Sequence, residues 1–170
     1  MTLFNRSMIL NILVTILKRQ FPDVSNISTN ELQDVMGKST GSDNLLIIDT
    51  RKREEYDVSF ISGAKHLAFP TSESDVKLFA KENISDQTEI VVCYCSLGYR
   101  SSKVAQTLSK VLSPAQTQKI SVYNLEGSIF QWANEGRSLS TVMGEATQSC
   151  HPFSTMWGLL GLSTDKWRWS

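Results

Sequence analysis

Cys95 and Arg100, a thiol and a guanidinium with four residues between them in the segment CSLGYR, are the side chains whose types and spacing point most directly to chemistry. A thiol attacks as its thiolate, and free cysteine titrates near ~8.5, so a nucleophilic cysteine needs something to hold its anion. Ser96, Leu97, Gly98 and Tyr99 make a tight connection in which Gly98 can take backbone angles forbidden to other residues. If a helix follows, the N–H groups from Ser96 to Ser101, the positive end of the helix dipole and the Arg100 charge all stabilise the anion. The same cradle would hold a sulfur or an oxyanion attached to Cys95. A cysteine at a strand end is more often a small buried apolar side chain. Gly98 and Arg100, standing where an anion cradle needs them, favour the chemical reading.

The elements around this loop follow from hydrophobic pattern. Ile90 to Tyr94 is a nearly unbroken apolar run, which suits a strand covered on both faces. Val104, Ala105, Leu108, Val111 and Leu112 fall on one stripe at helical spacing, so a helix follows the loop. Upstream, Ser28-Thr29-Asn30-Glu31 has capping-box spacing before Leu32, Val35 and Met36, with Gly37 and Gly41 bracketing the helix exit. Leu45 to Ile48 reads as a second buried strand ending at Asp49, followed by a polar helical segment, Arg51 to Asp57. Lys65 to Phe69 is a third strand closed by Pro70. A helix over Ser72 to Lys81 turns Val76, Leu78 and Phe79 inward. Lys119 to Tyr123 is the last strand, and Gly127 to Asn134 a helix with Ile129, Phe130 and Trp132 on the core side, stopped by Gly136. Strands alternating with helices predict an α/β fold, a small doubly wound, mostly parallel five-stranded sheet with helices on both faces.

Three blocks in this order resemble the rhodanese-like sulfurtransferases. CSLGYR fits the family's Cys-x-x-Gly-x-Arg loop. Residues 45–67, LLIIDTRKREEYDVSFISGAKHL, are similar to its Asp-x-Arg, Glu-Tyr and Gly-Ala segment, and residues 124–139 to its Glu-Gly, Trp and Gly segment. The likeness runs from about Ile27 to Leu139. FPDV near Phe21 and HPFSTMWGLL from His151 resemble a single-domain branch of the family. One departure is plain, since Ser59-Phe60 stands where the family usually has Gly-His. The resemblance implies a rhodanese-like domain over 23–139, preceded by an accessory helix or targeting segment over 1–22. A tail over 140–170, rich in Gly, Ser and Thr but carrying Met156, Trp157, Trp167 and Trp169, is expected to dock in part on the domain.

The implied activity is transfer of a sulfane sulfur through a persulfide on Cys95, from thiosulfate or another persulfide to cyanide or a thiol, with a protein thiol or persulfide also plausible as partner. Arg100 would orient an anionic donor, and Ser96, Leu97, Gly98, Tyr99 and Ser101 would line the substrate. Asp49 and Arg51, just past a strand's carboxyl end, are given a supporting role near the loop. Their structural reading, a helix cap and an ion pair, is compatible with it. No metal or organic cofactor is implied. Two other classes stand beside this one. Phosphatases and arsenate reductases of related fold use a longer loop, because a tetrahedral oxyanion needs a wider ring of donors. A regulatory rhodanese-like module would bind a partner through the loop, and such modules often lack the cysteine.

Composition narrows the partners. With 17 basic and 17 acidic side chains, the chain has no basic excess to bind nucleic acid. The apolar run Met8 to Leu17 is too short to span a bilayer, which takes about 20 residues. Three cysteines match neither a secreted disulfide framework nor a zinc pattern, so a reducing, cytoplasmic setting is expected, or a mitochondrial one if residues 1–20 are a presequence. Cys93, inside the apolar run, reads as structural, and Cys150, in the tail, as the better candidate for a resolving thiol. His66 and His151 read as surface or packing residues.

Overall fold

A computed structural model describes residues 6–39 and 43–170. Its first half runs α1 (Arg6–Gln20), β1 (Ser25–Ile27), α2 (Thr29–Lys38), β2 (Leu45–Asp49), α3 (Arg53–Val58), β3 (Lys65–His66) and α4 (Glu73–Asn83). The second half runs β4 (Ile90–Tyr94), α5 (Tyr99–Val111), α6 (Pro114–Lys119), β5 (Ser121–Leu125), α7 (Ser128–Asn134), β6 (Leu139–Ser140), β7 (Ala146–Thr147) and α8 (Thr155–Gly161). The first five strands form one parallel sheet in the order β1-β5-β4-β2-β3, and β6 and β7 pair as a separate antiparallel hairpin. This is the doubly wound α/β architecture that the alternation of strands and helices predicts.

The period of two along β2 and β4 divides the core between the two faces. Leu46, Ile48, Val91 and Cys93 pack with Val76 and Ala80 of α4 and Val104, Ala105 and Leu108 of α5. Ile47, Val92 and Tyr94 turn the other way, into a cluster with Leu32 of α2 and Ile129 and Phe130 of α7. Burial on both faces is why these strands read as unbroken apolar runs. The strand order also fixes where a site can lie. The chain leaves β2 toward β3 on one side and β4 toward β5 on the other, so the sheet's switch point opens between the carboxyl ends of β2 and β4. There Thr50 N–H donates to the Tyr94 carbonyl at 2.9 Å, tying the two exit loops together.

Several local expectations need correction. The fifth strand, which the pattern does not locate, is β1, whose three residues pair with β5 at the sheet edge. β3 is only two residues long; beyond it Leu67 and Phe69 still donate to the Asp49 and Thr50 carbonyls, an irregular continuation before Pro70. Helix α2 runs through Gly37 to Lys38, and the expectation for Gly41 falls outside the described residues. α3 starts at Arg53, not Arg51. In α4 Val76 and Ala80 are buried and Phe79 packs against the same cluster, while Leu78, expected inward, is 55% exposed. The segment before β5 is the extra helix α6, capped by Ser113, with Pro114 in its first turn and Gln116 completing a capping box, which moves the strand on to Ser121–Leu125.

The chain after residue 139 is packed rather than frayed. Cys150 and Leu162 are fully buried in the α7 side of the core, and α8 lies against α1. Gly161 permits the close approach: a Cβ there would come within 2.8 Å of Phe130, 3.0 Å of Leu97 and 3.4 Å of Leu10. Phe60 and Ser140 form an antiparallel bridge, and Ser59 Oγ donates to the Ser149 carbonyl at 2.6 Å, so the Ser59-Phe60 departure serves to fasten this segment. Among the described residues no helix is long and apolar enough to cross a membrane.

Candidate active site

Cys95 is the first residue beyond β4, at the switch point. Its carbonyl and that of Ser96 accept from the N–H groups of Ile129 and Phe130, and its own N–H donates to Ser128 Oγ, so the start of α7 props the loop from below. Gly98 reverses the chain with φ at 124°, a conformation open to glycine, and its N–H donates to Cys95 Sγ at 3.0 Å. Its carbonyl accepts from the Ser102 N–H and hydroxyl, which starts α5. Ser101 Oγ donates to Asn124 Oδ1, whose amide donates in turn to Asn26, so β5 and β1 brace the helix start.

Burial pushes the Cys95 thiol up. The Arg100 charge and the Ser101 and Gly98 N–H groups outweigh it and hold the thiol below its ordinary range. Cys93 and Cys150 have no such compensation, and burial pushes each to about 12. Cys93 faces α4 and α5 in the core, in keeping with a structural thiol. Cys150 is a correction: it is fully buried, not a mobile tail thiol, because its backbone pairs with Trp167 and its side chain enters the core.

Arg100, expected to stabilise the Cys95 anion and orient an anionic donor, is itself held by a carboxylate. Its guanidinium makes a two-pronged pair with Glu55, Nη1 to Oε2 at 2.6 Å and Nη2 to Oε1 at 2.9 Å, and Nη2 also donates to Ser96 Oγ at 2.8 Å. Ser96 Oγ donates to Glu55 Oε1, and Glu55 Oε2 accepts from the Lys52 N–H at the start of α3. Glu55 is 1% exposed. Burial would raise its carboxyl, but the Arg100 hydrogen bond and charge, with Arg51 behind, hold it below the usual carboxylate range. Sequence reasoning did not single out Glu55. The signal was present, since Glu55-Tyr56 is the Glu-Tyr of the second block, but three exposed charged neighbours, Arg53, Glu54 and Asp57, disguise it as surface.

Asp49 and Arg51 lie beneath the loop, both fully buried. Arg51 Nη2 donates to Asp49 Oδ2 at 2.6 Å and to the Ser59 carbonyl, and Arg51 N–H donates to Asp49 Oδ1. Tyr94 OH donates to Asp49 Oδ2 at 2.6 Å and accepts from Ile61 N–H. Asp49 therefore caps its own turn rather than a helix, and its ion pair with Arg51 anchors the residue before Cys95. His66 donates from Nε2 to the Arg51 carbonyl and stacks on Tyr56; His151 is buried and accepts from Phe153 N–H. Both are packing residues, and neither lines the pocket over Cys95.

That pocket has a volume of about 350 Å³, and Cys95, Ser96 and Arg100 are in its lining. Leu97 and Tyr99 of the loop, Leu13, Ile16 and Leu17 of α1, and Phe153 and Trp157 at the start of α8 line its sides, which stay partly open to solvent. Chemically, the arrangement presents a thiol held below its ordinary pKa in the lining of a partly open apolar pocket, beside a guanidinium fixed by its own carboxylate. Among the described residues no group of three or more His, Cys, Asp or Glu side chains could hold a metal ion.

The model of the rhodanese-like domain family matches residues 28–135. No curated protein matches the chain. Among solved structures, an As-Sb reductase from Leishmania major superposes with a TM-score of 0.60 at 17% identity, covering 73% of this chain and 92% of its own. A thiosulfate sulfurtransferase from Pseudomonas aeruginosa gives 0.55 at 17% identity over 90% of this chain, which corresponds to 26% of that longer protein. A Saccharomyces cerevisiae protein described as a homolog of single-domain rhodanese and of the Cdc25 phosphatase catalytic domain gives 0.54 at 20% identity, covering 67% of this chain and 82% of its own. At these identities the likeness is one of fold.

Proposed function

Because the chain belongs to the rhodanese-like domain family, we propose that it is a sulfurtransferase that carries sulfur as a persulfide on Cys95. The observation that carries this reading is the Cys95 thiol itself, held below its ordinary pKa by Arg100, Ser101 and the Gly98 N–H while the other two cysteines are pushed up. The Cys95 thiolate attacks the outer sulfur of a donor, an organic persulfide or thiosulfate. The donor's S–S bond breaks and its electron pair leaves with the departing thiolate or sulfite. An acceptor, a thiolate or cyanide, then attacks the terminal sulfur of the persulfide, and Cys95 departs as thiolate again.

The N–H groups from Ser96 to Ser101 stabilise thiolate and persulfide alike, and Arg100 supplies positive charge as the leaving group develops its own negative charge. Glu55 fixes the position of that charge. Asp49 and Arg51 act indirectly, by holding the loop's entry. In this reading residues 23–139 carry the sulfur chemistry, and α1 and the segment after residue 139 flank it. The four-residue spacing between Cys95 and Arg100 supports sulfur transfer over phosphatase or arsenate reductase chemistry, which needs a wider loop.

The test is turnover of Cys95→Ser, with sulfide or thiocyanate formation measured against a range of donors. Loss of turnover with an unchanged melting temperature is expected, since the hydroxyl fills similar space but is not ionised near neutral pH. Retained sulfur transfer would refute the mechanism.

A further inference from the structure

Two segments outside the residues matched by the family model build the walls over Cys95. Leu13, Ile16 and Leu17 come from α1, Phe153 from the approach to α8 and Trp157 from its first turn; with Leu97 of the loop they make an apolar lining that stays open to solvent on one side. The wall is seated rather than loosely draped, since Gly161 brings the end of α8 into contact distance of both Leu97 and Leu10. Phe153 adopts a left-handed backbone, φ 63°, unusual for a bulky residue, and the turn is held by its N–H bond to His151 Nδ1. That conformation sets its ring over the Arg100 guanidinium at 4.7 Å.

Charge points the same way. Arg100 is paired with Glu55 on one side and covered by Phe153 on the other. The nearby cations are also engaged, Lys18 with Glu126 and Lys103 over the Phe21 ring. A small dianion such as thiosulfate would give up its water in this pocket for a guanidinium already neutralised by a carboxylate, a costly exchange. An apolar group attached to sulfur would instead bury its body against Leu13, Ile16 and Trp157, leaving a single negative charge beside Cys95. The volume of about 350 Å³ is within the range of small organic ligand sites, about 300–1,000 Å³.

Resting on the sulfurtransferase reading, we infer that the sulfur donor of this site is an aliphatic or aromatic persulfide, its outer sulfur carried on an apolar organic group, rather than inorganic thiosulfate. In the loading step the Cys95 thiolate attacks the outer sulfur of R–S–S⁻, the S–S bond breaks, RS⁻ departs with the electron pair, and Cys95–S–S⁻ remains.

The test compares three donors that load the same single sulfur: thiosulfate, methanethiosulfonate and benzenethiosulfonate. The second-order rate of persulfide formation is read by intact mass, each rate normalised to that donor's reaction with free cysteine. The normalised rate with the benzene donor is expected to exceed that with the methane donor by at least about tenfold, the scale of one or more apolar groups in a fitted pocket, with thiosulfate slowest. Trp157→Ala should reduce that ratio severalfold, and Ile16→Gln, at a half-exposed position that tolerates polarity, should do so too if the tryptophan variant fails to fold. Equal normalised rates for the two thiosulfonates, or thiosulfate as the fastest donor, would overturn the inference while leaving sulfur transfer intact. Loading by none of the three would overturn sulfur transfer and this substrate class together. A parallel series separates the causes: alkylation of Cys95 by iodoacetate, iodoacetamide and iodoacetanilide, which needs no sulfur chemistry. Preference for the anilide would then show an apolar pocket with another reaction, and no preference would remove the pocket as well.

Discussion

Glu55→Gln removes one charge from the site and little else, and its consequences can be worked from the geometry. The Glu55 carboxylate is 1% exposed and is the only carboxylate paired with Arg100 among the described residues, through contacts of 2.6 and 2.9 Å. Removing one partner of a buried pair costs about 3–5 kcal/mol, because the remaining charge stays buried without compensation. Arg100 keeps 13% of its side chain in contact with solvent, and the substituted amide would still accept one hydrogen bond through its oxygen, so the low end applies, about 3 kcal/mol. For a chain of this size that lowers the melting temperature by about 6–12 °C. The loss should depend on pH. The Glu55 carboxyl is held low in the fold, so its contribution is present above the unfolded value of about 4.3 and disappears as pH falls through the lowered folded value. The two proteins should therefore converge in melting temperature in acid. At the same time Arg100, relieved of its counter-charge, acts more strongly on Cys95, and the pH midpoint for Cys95 alkylation should move down. Equal melting temperatures at pH 7 and an unmoved midpoint would refute the role given to this pair.

Three other perturbations test neighbouring steps. Arg100→Ala should raise the Cys95 pKa, since the guanidinium is the largest influence opposing burial there, and so move the pH–rate midpoint up; Arg100→Lys should fall between, keeping the charge without the two-pronged contact. Cys93→Ala should leave turnover near the wild-type value and cost about 1 kcal/mol, measured by denaturant unfolding. Neither Cys93 nor Cys150 should form a disulfide with Cys95 under mild peroxide, which peptide mapping reads directly, because both thiols are buried and pushed to about 12. Gly161→Ala should cost about 1–3 kcal/mol by overpacking against Phe130 and Leu97, with a change in Cys95 reactivity that a remote surface substitution would not produce.

The parts of the fold legible in the sequence are those governed by local pattern. The apolar runs of β2 and β4, the capping box at Ser28 and the stripe of α5 each carry their own physical signal, and the CSLGYR loop follows from the junction of two of them. Glu55 was hidden because its burial depends on Arg100, 45 positions away, and a glutamate within a charged run looks solvated. Helix α6 escapes the apolar pattern because its signals are polar: Ser113 caps it, Pro114 sits in its first turn and Gln116 closes a capping box. Leu78 is apolar but lies on the outer face of α4, where the stripe of Val76 and Ala80 decides the orientation. The pocket walls were the least legible, because α1 and α8 meet over the loop from opposite ends of the chain, and no local periodicity encodes such a meeting.

The central claim is that Cys95, and no other residue, carries sulfur. Intact mass after incubation with a sulfane-sulfur donor, followed by peptide mapping of the added mass and then by treatment with cyanide, tests it most directly. The account predicts one added sulfur atom per chain, located on the peptide containing Cys95, absent from Cys95→Ser and removed by cyanide with release of thiocyanate. An added sulfur on Cys93 or Cys150, or an unchanged Cys95 with every donor, would contradict it.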